Sequence, residues 1–228
     1  MRLVLSLLFL YLIQNAYTQN RSEYGVQLVN ELAYYQEQMK HNPDFELVNL
    51  RSIEELEFDI RYATEHNFTD SIIYTTAEAF ARKPVVEALR KANSEFLKLG
   101  YTIKIYDAYR PYNATVRFYE LVRDTQYVAS PYTGSRHNRA CAIDLTLVEI
   151  ATGKELEMPT EYDDFSEKAH PDYAIQDKVK KENRDLLIVT MEKYGFKVYP
   201  YEWWHFDFEG WEKFPIMNLS FEALNSIK

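Results

Sequence analysis

The apolar positions of this chain change period several times. Between Glu23 and Met39, Leu28, Leu32, Tyr35 and Met39 recur at spacings of four, three and four, the rhythm of one helical face. Phe45 to Tyr62 begins extended at Leu47-Val48-Asn49-Leu50 and passes through an acidic turn at Glu54-Glu55. Pro84 to Leu99 reads as a helix, with Pro84 suited to the first turn, Val85, Leu89 and Phe96 on one face, and Gly100 as its stop. The period then drops to two. Tyr101, Ile103 and Ile105 alternate with Thr102, Lys104 and Tyr106, which predicts a strand over Tyr101–Tyr109. Pro111 opens a helix to about Val128, and Ser130–Gly134 is a loop. Ala142–Ile150 is the next strand, turning at Thr152-Gly153 toward a hairpin partner at Glu155–Met158. After a polar loop over 159–172, a helix covers about Tyr173–Tyr194 and stops at Gly195. Two short strands, Phe196–Tyr199 and Trp203–Phe208, follow. The order predicts an α+β fold: a single compact domain with a mostly antiparallel central sheet flanked by helices.

Composition narrows this picture. At 228 residues, 46% hydrophobic and 27% charged, the chain is long enough for one domain with a sizeable core and short for two. A formal charge of −9 argues against a nucleic-acid partner, which calls for a basic face. Residues 1–18 stand apart: Arg2, an apolar run from Leu3 to Ile13, then small and polar residues to Thr18. This is the layout of a secretory signal peptide, too short to span a bilayer comfortably, and it predicts an exported mature domain over 19–228 with no stable membrane insertion after cleavage. An uncleaved N-terminal anchor is the competing reading. Cys141 is the only cysteine, so no intramolecular disulfide is available. Inside Ala140-Cys141-Ala142-Ile143 it reads as a small buried residue rather than a thiol nucleophile.

Four places offer chemistry. His137 and Asp144 span a corner from loop to strand, and Asp144 sits between Ile143 and Leu145, where an unpaired carboxylate is costly. Asp144 therefore pairs with a cation or binds a metal. Glu202-Trp203-Trp204-His205 offers another imidazole with a carboxylate three residues earlier. His137, Asp144 and His205 together make a three-ligand set for a catalytic zinc, with Glu202 as its base. A regular strand, however, sends Glu202 and His205 to opposite faces, so the segment must bend for both to reach one ion. Arg110 closes the strand from Tyr101 and would clamp a carboxylate or an oxyanion. Asp163-Asp164 lies in the polar loop and would suit a substrate ammonium. Each place also has an ordinary reading: a salt bridge for Asp144 and Arg110, aromatic packing for Trp203 and Trp204, a solvated loop for Asp163. His41, His66 and His170 carry no metal-like spacing.

These segments together resemble the D-alanyl-D-alanine dipeptidases, the group related to the vancomycin-resistance dipeptidase and the wider zinc D,D-peptidases. Ser135, His137, Ala142 and Asp144 match the pattern S-x-H-x-x-G-x-A-x-D, and Glu202, Trp204 and His205 match E-x-W-H. Asp59 through Thr69 is similar to the group's D-x-x-Y-A-T-x-x-N-F segment, and Tyr106 to Pro111 to its D-G-Y-R-P. The resemblance runs in order from roughly Val48 to Phe208. It implies one zinc per chain held by His137, Asp144 and His205 on the sheet, Glu202 as catalytic base, and Arg110 on the oxyanion. It further implies Asp163 and Tyr62 on the dipeptide's free amino group and Ser135 in contact with substrate; the signal-peptide layout adds a bacterial periplasmic or secreted setting. The implied activity is hydrolysis of D-Ala-D-Ala. A peptidoglycan D,D-carboxypeptidase or endopeptidase, a non-catalytic zinc-binding module of the same fold, and a metal-free glycan binder are the alternatives. Two departures bear on the pocket. The motif glycine is Ala140, whose methyl bars easy use of positive φ, and a glycine expected after Met158 is Pro159.

Overall fold

The structure is a computed structural model, and it describes residues 21–227. The predicted leader over 1–18 lies outside the described residues. Among the described residues, eight strands and five helices build an α+β domain. The strands are β1 (Leu47–Asn49), β2 (Glu57–Phe58), β3 (Phe80–Arg82), β4 (Tyr101–Asp107), β5 (Ala142–Glu149), β6 (Lys154–Glu155), β7 (Phe196–Tyr199) and β8 (Glu202–Phe208). The helices are α1 (Leu32–His41), α2 (Lys83–Lys98), α3 (Tyr112–Val122), α4 (Lys178–Lys193) and α5 (Phe221–Asn225).

The main sheet runs β2-β4-β5-β8-β7, with β6 on the end of β5, while β1 and β3 form a separate antiparallel pair. β2 runs parallel to β4 and every other pairing is antiparallel, so the main sheet is mixed. β5 is its centre and is buried on both faces, which accounts for the nearly continuous apolar run Ile143, Leu145, Leu147, Val148. α2 packs on β4, placing Val85, Leu89 and Phe96 in the core, and α4 packs on β7 and α2 through Leu187 and Met191. Asn93 is the polar exception on α2. Its Oδ1 accepts from the Ile103 backbone N–H at 2.9 Å, tying helix to strand.

Three helices begin or end elsewhere than the periodicity predicts. The first is helical only from Leu32, because Gly25 turns the chain (φ 79°) and Val29 pairs through its backbone with Met217. α3 stops at Val122 rather than Val128: Arg123 takes the left-handed conformation (φ 55°) and Asp124 caps the following turn through the Gln126 N–H. α4 starts at Lys178 rather than Tyr173, where the Asp177 side chain caps the Val179 and Lys180 N–H groups. The hairpin over Thr152-Gly153 forms as expected, pairing Val148 with Glu155.

Two irregularities sit at one end of the sheet, on either side of Asp144. In β4 the register shifts between Ile105 and Asp107, which sets Asp107 opposite Asp144. Between β7 and β8 the shift is larger. One step from Val198 to Tyr199 is matched by four steps from Phe206 to Glu202. Bulges of this kind re-aim side chains, and both turn theirs toward the same cleft.

Candidate metal centre and substrate cleft

The bend demanded by Glu202 and His205 is the second of these irregularities. On its other edge β8 remains regular, so His205 lies directly across from Asp144. The bulge swings Glu202 back to the His205 side, with Glu202 Oε2 3.5 Å from His205 Nδ1. Trp203 and Trp204 between them are both buried. Trp203 Nε1 donates to Thr160 Oγ1 at 3.0 Å, and Trp204 lines the cleft against Tyr162.

His137 begins a short 3-10 turn, His137–Arg139, that leads into β5. The His137 N–H donates to Ser135 Oγ, and the Ser135 N–H donates to Asn138 Oδ1. Asn138 Nδ2 in turn donates to the Arg110 carbonyl and to Thr115 on α3. The turn closes at Ala140, which adopts φ 58° and ψ 34°. The methyl at this position therefore does not prevent the left-handed conformation. Backbone bonds on both sides hold it there, from the Ala140 N–H to the His137 carbonyl and from the Arg82 N–H to the Ala140 carbonyl.

Among the described residues, His137, Asp144 and His205 form a group able to hold a metal ion. His137 Nε2 lies 3.1 Å from His205 Nδ1, and Asp144 Oδ1 lies 3.3 Å and 3.0 Å from those two nitrogens. A tetrahedral ion with ligand distances of about 2.0–2.1 Å has donor–donor edges of about 3.3–3.4 Å, close to these separations. The outer ring nitrogens are both occupied. His137 Nδ1 is 2.7 Å from the Ala108 carbonyl, and His205 Nε2 is 3.0 Å from Asp207 Oδ1. With the outer nitrogens so engaged, the inner nitrogens turn toward each other and toward Asp144 Oδ1, a set that positive charge, a proton or a metal ion, would hold together. Asp144 Oδ1 is buried and has no hydrogen-bond partner, whereas Oδ2 accepts from Tyr162 at 3.0 Å. Burial works to raise the Asp144 pKa, but His137 and His205 outweigh it and the carboxylate stays ionised. Burial likewise opposes charge on His205, yet Asp207 and Asp144 push it up to about 10. The site is built to hold positive charge.

Around this group the cleft has a volume of ≈ 200 Å³. Glu202 is buried, and burial, with Asp144 adding to it, pushes its pKa up to about 7 against the pull of His205. Arg110 is held by Asp107, which accepts from Nε at 3.0 Å and from Nη2 at 2.7 Å. Nη1 has no hydrogen-bond partner among the described residues. Asp107 also accepts from the Tyr74 hydroxyl at 2.9 Å. The guanidinium lies 5.2 Å from the Tyr62 ring centroid and 4.8 Å from that of Phe118. Asp163 enters from the loop after Pro159 with φ 62°, and both its carboxylate oxygens accept from the Tyr62 hydroxyl, at 3.1 and 3.2 Å. Its pKa is raised well above the usual carboxylate range by burial, then by Asp144 and Glu202.

All eight residues that the sequence points to thus border one cleft. Cys141 is buried, and burial pushes its thiol up to about 12, which removes it as a nucleophile at neutral pH. His41 pairs with Glu37 on the surface, His66 lies near Arg61, and His170 packs on Tyr201. Asp107, Asp207, Tyr162 and Asn138 also support the site; Asp107 is the first residue of the D-G-Y-R-P-like segment, though without an assigned role, and no sequence motif assigns a role to the other three. Asp207 carries a legible signal nonetheless: it lies two residues beyond His205, on the same face of a regular strand.

A family model described as D-Ala-D-Ala dipeptidase (Peptidase_M15) matches residues 44–220. The chain is 35% identical over 182 residues to a D-alanyl-D-alanine dipeptidase of Escherichia coli, covering 79% of this chain and 94% of that protein. It is 30% identical over 169 residues to one of Enterococcus faecalis, covering 65% of this chain and 84% of that protein. Among solved structures, it is similar to a vancomycin-resistance D,D-pentapeptidase in complex with Zn(II), with 14% identity, a TM-score of 0.39, and coverage of 61% of this chain and 78% of the other.

Proposed function

Because the chain belongs to the M15 metallopeptidase family of D-Ala-D-Ala dipeptidases, we propose that it hydrolyses free D-Ala-D-Ala to two D-alanines at one zinc held by His137, Asp144 and His205. The observation that carries this reading is the buried, unpartnered Asp144 Oδ1 facing two inward ring nitrogens whose outer N–H groups are already committed. When bound, zinc supplies a water of near-neutral pKa and a Lewis acid for the scissile carbonyl.

The chain's own groups account for the rest of the chemistry. Glu202, buried and raised to about 7, accepts a proton from the attacking water and returns it to the leaving amine. Arg110, locked by Asp107 with Nη1 free, stabilises the developing oxyanion. Asp163 and Tyr62 receive the substrate ammonium, and Ser135 borders the same cleft while fixing the His137 turn. A volume of ≈ 200 Å³ with an ammonium anchor inside it favours a free dipeptide over a peptidoglycan stem, the substrate of the D,D-carboxypeptidase reading. The layout of residues 1–18 supports export, so the dipeptide would be met outside the cytoplasm.

Zinc stoichiometry on the purified protein, run beside hydrolysis of D-Ala-D-Ala, L-Ala-L-Ala and a pentapeptide stem, tests the proposal. One zinc per chain and turnover of D-Ala-D-Ala are expected, with Glu202→Gln keeping its zinc and losing about 10²–10⁴-fold in kcat. Near-normal turnover in that variant would remove Glu202 from the mechanism. Full zinc occupancy with no hydrolysis would instead favour a binding module.

A further inference from the structure

Two arginines, and no lysine, line the cleft among the described residues: Arg110 and Arg136. Arg110 is committed to Asp107. The Arg136 side chain makes no hydrogen bond among the described residues, and its Nε is buried without a partner. Its one ionic neighbour is Asp207, with Oδ2 3.5 Å from Nε, beyond good hydrogen-bond range for a carboxylate. Asp207 is already engaged with His205 through its other oxygen. The guanidinium is nevertheless held in place, lying 4.9 Å from the Trp211 ring centroid and 6.0 Å from that of Tyr199. A planar cation fixed by aromatic rings, with its fork unspent, is suited to a carboxylate.

Its position relative to the metal ligands matters as much as its chemistry. Asp163 stands on the Tyr62 and Arg110 side of the group. Arg136 stands behind His205, against Asp207 and Tyr199, and borders both the cleft and a neighbouring hollow beside Trp211; the Tyr199 ring also packs on His205 5.2 Å away. The cleft therefore presents an anion beside Tyr62, the metal ligands and Glu202, and, beyond His205, a cation that spends no side-chain hydrogen bond. A zwitterionic dipeptide carries the complementary charges in the same order: ammonium, scissile carbonyl, carboxylate. We infer that Arg136 binds the C-terminal carboxylate of the substrate and so restricts the enzyme to peptides that end immediately after the cleaved bond. This rests on the dipeptidase reading and adds to it the residue that senses the far end of the substrate.

The test measures binding of D-Ala-D-Ala and of its C-terminal amide to the zinc-loaded protein carrying Glu202→Gln, with and without Arg136→Gln or Arg136→Lys. Calorimetry should show Arg136→Gln weakening the free acid by about tenfold or more while the amide changes by less than about twofold. Arg136→Lys, which keeps the charge but not the fork, should fall between. Zinc content and thermal midpoint, measured on each variant, show whether fold and metal are intact. Equal weakening of both ligands, or of neither, overturns the role of Arg136. If wild-type protein hydrolyses D-Ala-D-Ala while that result holds, only this inference fails. If the zinc-loaded parent neither binds nor hydrolyses the dipeptide, the substrate reading fails and takes the inference with it.

Discussion

Asp144 and His205 face each other across adjacent strands, whereas Asp163 reaches the same cleft from the loop over 159–172. The first pair is placed by backbone register: β5 and β8 are hydrogen-bonded neighbours, and their donors come within 3.0 Å without help from distant side chains. Asp163 is placed by side chains. Its carboxylate hangs on the Tyr62 hydroxyl, its neighbour Tyr162 donates to Asp144, and Phe165 packs on Phe68 and Tyr127. Register is hard to alter by a single substitution because many ladder bonds share it. A loop held by a few hydroxyls is easier to retune. The metal end of the cleft is thus the stiff part, and the ammonium end is where substrate preference can change without loss of the ion.

The strongest challenge to that contrast is Asp207→Asn. It removes the outer carboxylate from His205, and zinc affinity should fall about 10–100-fold in a chelator competition. An unchanged affinity would mean that register alone holds the ligand and that Asp207 is dispensable. Tyr62→Phe addresses the other end. Zinc occupancy should stay complete while KM rises about tenfold, since a hydrogen bond to a charged group is lost. The pH profile should move too. Only ionised Asp163 attracts the ammonium, so binding is lost as pH falls through its raised pKa. The Tyr62 hydroxyl pulls that pKa down, and without it the acid limb of kcat/KM shifts to higher pH. Loss of zinc in this variant would show the two ends to be coupled, through Tyr162 or Asp144. Ala140→Gly should have the smallest effect. It relieves about 1–2 kcal/mol of left-handed strain but gives up a buried methyl and some chain entropy, leaving a gain of under about 1 kcal/mol in thermal unfolding. A clear loss of stability would show that the Ala140 methyl packs more usefully than its backbone is strained.

Much of the scaffold is legible in the order of residues. Period-two alternation locates β4, proline and glycine bracket α2, and Thr152-Gly153 marks the hairpin from β5 to β6. Local pattern misleads where backbone partners lie far along the chain. Val29 leaves a helical pattern because Met217 offers it a bridge, and α3 ends where Asp124 begins a turn. Ala140 carries a methyl that disfavours positive φ, yet the turn's own bond to His137 and a tertiary bond from the Arg82 N–H hold it there. The role of Asp107 escapes a local reading because it depends on which side chain stands opposite, and a register shift beside it decides that.

By itself, the amino-acid order determined the donor types and their spacing: two imidazoles, one carboxylate among apolar neighbours, a glutamate near the last ligand, and an arginine at a strand end. It also posed a geometric problem, because a regular strand separates Glu202 from His205. Only the tertiary structure solved it, with a bulge that matches four steps of β8 to one of β7. It alone decided which ring nitrogen of each histidine faces inward, and it alone left the Arg136 guanidinium without a hydrogen-bonding partner among the described residues. The physical reason is range. Period and residue chemistry act over a few neighbours, whereas sheet register and the contact between the two inner ring nitrogens join residues about sixty to seventy positions apart, and their geometry exists only once the sheet has closed.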